Sequence, residues 1–194
     1  VARGYARGKN ASLKTSKANL GDKTMTNEIR IYVACLAAYN SGILHGEWID
    51  ATQGVDGINE DVQAMLKASP IEDAEEWAIH DYEGFGSYRL SEYEGFDSVC
   101  VIAEFLEEHG EIGSELLAHF SDLDDARKAL DECYAGEFKS LADFAEELTT
   151  DSTTIPENLS FYIDYDRMGR DMEMSGDVYT VETAHDEVHI FWSH

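Results

Sequence analysis

The sequence predicts an α+β fold, with a small mixed unit at the N-terminal side, a helical middle and a second mixed stretch at the C-terminal end. Three observations predict it. β-rich runs gather towards the two ends, apolar residues at three- and four-residue spacing fill the middle, and the longest apolar run, Ile31 to Tyr39, is only nine residues. Apolar residues make up 43% of the chain and aromatics 11%, enough to build a core. The 194 residues suffice for one ordinary domain or two to three small ones in a row.

Residues 1–24 are polar and basic without hydrophobic period, so a disordered tail is expected there. Met25 is a candidate physiological start. Ile29–Cys35 is β-rich with an apolar continuation, and His45–Ala51 reads as a short second strand. Ile58, Val62, Met65 and Leu66 have helical spacing, and Trp77–Tyr82 reads as a third strand. In the middle, Val99, Ile102, Ala103 and Leu106 share one helical face within Ser98–His109. Gly110 is then placed to stop that helix. Ile112–Phe120 and Asp122–Cys133 continue the helical pattern. Ser140 and Asp143 resemble a capping box that opens a helix carrying Leu141, Phe144, Ala145 and Leu148 inward. Pro156 interrupts, Tyr165–Glu173 looks helical, and Asp177–Thr183 with Glu187–Trp192 form a hairpin around Ala184–Asp186.

Charge is the dominant feature. Six of the 14 basic residues and one of the 40 acids fall in residues 1–24, which leaves eight against 39 and a net charge of −31 from Met25 onward. Lys67, Lys128 and Lys139 are the only lysines of that body. Such a body repels nucleic acid and anionic membrane and attracts basic surfaces. Spread evenly over roughly 8,000 Å², the charge amounts to about one per 270 Å². B-DNA carries about one per 100 Å², from one charge per ~1.7 Å of axis. An imitation of DNA therefore needs its acids concentrated on one face of an extended shape. One helix cannot supply the row, because same-face positions recur about every 5.4 Å against 3.4 Å per phosphate along a strand.

Signs of catalysis are sparse. The sequence holds no phosphate-cradling Gly-Lys-Ser/Thr loop, no Gly-x-Ser-x-Gly elbow and no dinucleotide glycine fingerprint. His185 and His189 lack the Glu directly after the first His that a zinc helix requires, and on a strand they stand about 13 Å apart. Asp122, Asp124 and Asp125 sit where a helix N-terminus favours acids, without the central Gly of a calcium loop. His80 and Asp81 beside Trp77 and Tyr82 have no nucleophile to serve. Cys35, Cys100 and Cys133 have neither disulfide nor zinc spacing and read as buried free thiols. Neither a metal nor a cofactor is expected. The apolar runs are too short for a membrane span, so a soluble, cytoplasmic protein is expected.

The N-terminal run IRIYVACLAAYNSGILHGEWIDA, the segment EEWAIHDYEGF and above all the stretch SLADFAEEL…IPENLSFYIDYDRMGRDMEMSGDVYTVET…EVHIFW resemble the ArdA antirestriction family. The resemblance covers the chain from about Ile29 to the C-terminus and leaves out the basic tail. It implies a non-enzymatic inhibitor, carried by mobile elements, that blocks type I restriction-modification enzymes. It further implies an elongated chain of three small domains: residues 25–88 α+β, 89–133 helical and 134–194 α+β, after the basic tail 1–24. The family acts as an acidic DNA mimic, occupying the DNA groove of the modification core as a homodimer without cofactor and without binding nucleic acid itself. A tail-less dimer of this chain carries −62, the phosphate charge of about 31 base pairs.

The carboxylates expected to face the target are Glu107, Glu108, Glu111, Asp122, Asp124, Asp125, Asp131, Glu132, Glu146, Glu147, Asp164, Asp166 and Asp171. The family's C-terminal dimer contact points to Tyr179, Val181, Phe191 and Trp192, although the same side chains suit the domain's own core equally well. The composition alone also fits a halophilic housekeeping protein, or an acidic calcium-buffering or nuclease-inhibiting module. A halophile should need molar salt to fold and carry acids on all faces, and the calcium-buffering or nuclease-inhibiting module lacks the C-terminal motif.

Overall fold

The computed structural model describes residues 28–193; the basic tail 1–24 and Met25 lie outside them. The fold is α+β, with two three-stranded antiparallel sheets. The first sheet has the order β2-β1-β3, from β1 (Arg30–Cys35), β2 (Gly46–Asp50) and β3 (Trp77–Glu83). Ile31, Val33 and Cys35 alternate onto the buried face of β1, as period-two patterning requires. A short helix, α1 (Leu36–Asn40), continues the apolar run beyond the strand. The run therefore splits between strand and helix at Cys35, whose N–H still bonds His45 O at the end of the β1–β2 ladder.

Helix α2 (Val55–Lys67) covers the sheet with Ile58, Val62, Met65 and Leu66, all buried. Each contributes about 1.5–3 kcal/mol of apolar burial. Register slips between Tyr32 and Val33 on β1, whose partners Asp81 and Ile79 skip His80 on β3. The bulge turns His80 against Tyr39, an edge-on ring pair at 4.7 Å, and Asp81 accepts a bond from the N–H of Tyr82. His80 and Asp81 are thus absorbed by strand geometry and packing.

Trp77 stacks on Phe96 at 4.1 Å and ties the sheet to α3 (Phe96–Phe120). The sequence reads two helices here, and α3 is helical on both sides of Gly110 with no connecting loop. Gly110 itself lies at φ 57°, ψ −133°, a conformation open essentially to glycine, and breaks the run. Tyr-Glu-Gly-Phe occurs twice, at 82–85 and 93–96, and each copy buries its phenylalanine, Phe85 and Phe96, at the junction between β3 and α3. Beyond α3, α4 (Leu123–Lys128) passes into a π-turn, Ala129–Cys133.

The second sheet, β4-β6-β5, combines β4 (Tyr134–Phe138), β5 (Val178–Ala184) and β6 (Glu187–Trp192). The β5–β6 hairpin lies where the sequence places it. β4 is an addition: sequence patterning gives no strand at YAGEF, whose Gly136 sits at φ 139° beside a bulge. Between β4 and β5 run α5 (Leu141–Ser152), the short α6 (Glu157–Ser160) and α7 (Tyr165–Ser175). Ser140 caps α5, its hydroxyl accepting from Asp143 N–H while donating to the Asp143 carboxylate. Asp143 thus reaches the cap hydroxyl rather than the backbone N–H of a full capping box.

One buried cluster runs from Ile29 through α3 to Val181 and Phe191, so apolar packing is shared along the chain. A smaller cluster, Phe144, Val178, Val188 and Ile190, lies under the second sheet. At the junction, His119, Tyr179 and Phe191 form a continuous ring stack with centroids 5.4 and 5.0 Å apart.

Candidate functional site

None of the acids in the described residues is buried, and all but Asp61, Glu94 and Glu115 are exposed. The apolar stripes dictate this. On α3, Val99, Ile102, Ala103, Phe105 and Leu106 face inward, which leaves Glu104, Glu107 and Glu108 in solvent. Glu111 follows the Gly110 break, so Glu107, Glu108 and Glu111 do not lie along one straight helical row. On α5 the buried Phe144 and Ala145 place Glu146 and Glu147 outward. Asp131 and Glu132 project from the π-turn.

Some of these carboxylates also hold local structure. Asp122 caps α4, accepting from the N–H groups of Asp124 (2.9 Å) and Asp125 (3.0 Å). Asp164 caps α7 by accepting from Arg167 N–H at 2.9 Å. Asp171 lies 3.9 Å from the Arg167 guanidinium, one turn away. Arg30 pairs with Glu28 and Glu83. Among the described residues, these are the pairs between arginine or lysine and an acid. The other carboxylates expected to face the target have no arginine or lysine partner, and Glu108 lies 3.8 Å from His109 Nε2.

The four expected dimer residues divide. Phe191 is fully buried and Val181 nearly so, both inside the chain's own core. Tyr179 is half-buried in the ring stack, and its hydroxyl has no hydrogen-bond partner. Burial, with the Cys133 thiol adding to it, pushes that phenol up to about 12. Trp192 keeps 37% exposure, its ring edge-on to Phe144. Of the four, Trp192 leaves the most surface for a second chain.

Larger exposed apolar side chains lie elsewhere, where sequence reasoning did not look. Phe161 is 91% exposed and Tyr162 84%. They sit in FYIDY, where an aromatic run resembles a core segment. Only the tertiary placement after α6 shows them turned to solvent.

The remaining titratable groups are structural. His189 bonds Tyr134 Oη (2.9 Å) and Thr183 Oγ1 (3.2 Å). Burial holds its imidazole below the ordinary range, against the opposing pull of Glu137 and Glu187. His185 sits in the β5–β6 turn and joins no common site with His189. Cys35, Cys100 and Cys133 are free and buried, and burial raises the thiols of Cys100 and Cys133. Among the described residues, no group of three or more His, Cys, Asp or Glu side chains is placed to hold a metal ion. None of the helices there is long and apolar enough to cross a membrane.

A family profile described as Antirestriction protein (ArdA) matches residues 31–187, most of the chain. The chain belongs to the ArdA antirestriction family. The match runs from β1 to the first residue of β6 and takes in every carboxylate expected to face the target. ArdA proteins are inhibitors rather than enzymes. No match was found among curated proteins.

Proposed function

We propose that this ArdA chain is an acidic DNA mimic that occupies the DNA groove of the modification core of type I restriction-modification enzymes. In this reading it acts as an elongated homodimer of three-domain chains and competes with DNA, without cofactor, chemistry or nucleic-acid contact of its own. The observation that carries the reading is the set of exposed carboxylates without cationic partners, spread from α3 to α7. A −31 body opposes its own folding by self-repulsion, and a basic groove relieves that repulsion while gaining ion pairs.

The test is competition. Purified chain is titrated into a modification core bound to labelled DNA at two salt concentrations. Displacement should be competitive and should weaken steeply as salt rises. A ternary complex holding both DNA and the chain, or displacement indifferent to salt, would overturn the reading.

A further inference from the structure

Helices α5 and α7 meet closely at Gly169, where an added Cβ would stand 2.9 Å from Leu141 O. Beside this crossing, the turn after α6 helps to close an open cavity of about 490 Å³. Asp143, Glu146, Asp164 and Asp166 line it together with Phe161 and Tyr162, and no basic residue does. The turn is held by its backbone: Leu159 N–H bonds Pro156 O (2.8 Å) and Tyr162 N–H bonds Leu159 O (3.0 Å). Two large rings are therefore presented to water by an ordered backbone. Ser140 and the α7 cap each engage one carboxylate, Asp143 and Asp164. The carboxylates of Glu146 and Asp166 have no hydrogen-bond or ion partner among the described residues, although Arg170 Nε, one turn on, donates to the backbone carbonyl of Asp166 (3.1 Å).

The lining selects its occupant. Four carboxylates repel an anion, and a second copy of the chain would bring the same acids against them. The carboxylates are not grouped closely enough to hold a metal ion. A guanidinium satisfies both halves, since its plane stacks on aromatic faces while its N–H fork donates to carboxylates. An ammonium is compact and strongly hydrated, and uses the rings less well.

We infer that this cavity is an arginine pocket, which takes one guanidinium from the basic face of a protein partner. The inference rests on the docking reading above for the source of that arginine. The pocket differs from a phosphate imitation because part of its affinity comes from aromatic stacking, which salt screens little.

The test compares a hexalysine peptide with the same peptide carrying one arginine in place of a lysine, at equal charge, titrated into the full chain. The arginine peptide should bind about fivefold more tightly. F161A/Y162A should abolish that preference while binding hexalysine as before, and D166N should reduce it. Both rings are exposed, so the double variant should keep its circular dichroism and melting temperature. Equal affinity for the two peptides, or a preference that survives F161A/Y162A, overturns the pocket. The peptide readout does not involve a modification core, so it separates this inference from DNA competition. In the competition assay, F161A/Y162A should displace DNA about fivefold less well, with the deficit retained at high salt. Undiminished displacement by the double variant would also overturn it.

Discussion

Neutralising Glu107, Glu108, Glu111, Asp131, Glu132 and Glu147 together, each to its amide, should weaken competition with DNA far more than any one of the six changes. The structure guides the choice. All six side chains are exposed and none caps a helix. Asp122 and Asp164 are left intact, because losing a cap costs about 1 kcal/mol of folding and would blur the result. Glu146 and Asp166 are kept because they line the arginine pocket. An exposed ion pair contributes about 0.2–1 kcal/mol. Six contacts that add therefore amount to about 1–6 kcal/mol, up to roughly four orders of magnitude in affinity. A single change such as Glu107→Gln should cost less than about fivefold. The block variant should also show a shallower salt dependence. Its melting temperature should hold or rise, since like-charge repulsion is relieved. The assay is DNA displacement from a type I modification core at two salt concentrations. One of the six single changes that destroys inhibition in a folded protein would refute the distributed mimic, and so would a block variant as strong as the parent.

Gly169→Ala should destabilise the chain by about 1–2 kcal/mol in denaturant unfolding, since the close contact with Leu141 outweighs the roughly 1 kcal/mol that alanine gains within a helix. A stabilised variant would mean that α5 and α7 separate readily. Tyr179→Phe keeps the stack between His119 and Phe191 and removes a buried hydroxyl without a partner. Unfolding stability should stay level or rise by about 1 kcal/mol, whereas a clear loss would show that the hydroxyl is bonded in solution. Because the Tyr179 phenol is raised from 10 to about 12, its contribution is present below pH 10 and lost as pH climbs through the folded value. The variant should escape that alkaline loss. For His189 the sign is reversed. Its folded pKa is lowered, so the contribution is complete above about pH 6.5 and is lost as pH falls through the folded value. As pH falls from about 7.5 to 5.5, the melting temperature of His189→Gln should therefore gain on that of the parent; identical profiles would refute this.

The sequence by itself determined the elements with a strong local period. In α2, Ile58, Val62, Met65 and Leu66 recur at helical spacing and are all buried. The β5–β6 hairpin needs only alternation and a short turn, and the Ser140 cap only a hydroxyl at a helix start. Family membership was legible for the same reason, because motif residues are contiguous. Solvent exposure of the acids was legible too, since a carboxylate is seldom buried without a partner and this body has few cations.

Tertiary structure alone decided what depends on distant partners. YAGEF becomes β4 because β6, some fifty residues later, offers its edge: local propensity at Gly136 opposes a strand, and pairing overrides it. Val181 and Phe191 went to the core because β5, paired with β6, packs through Tyr179 on the end of α3, while Phe161 and Tyr162, equally apolar, were left in water by the turn after α6. A sequence states how apolar a side chain is. Which apolar side chains meet others and which remain for a partner is set by how much buried surface the assembled elements can share.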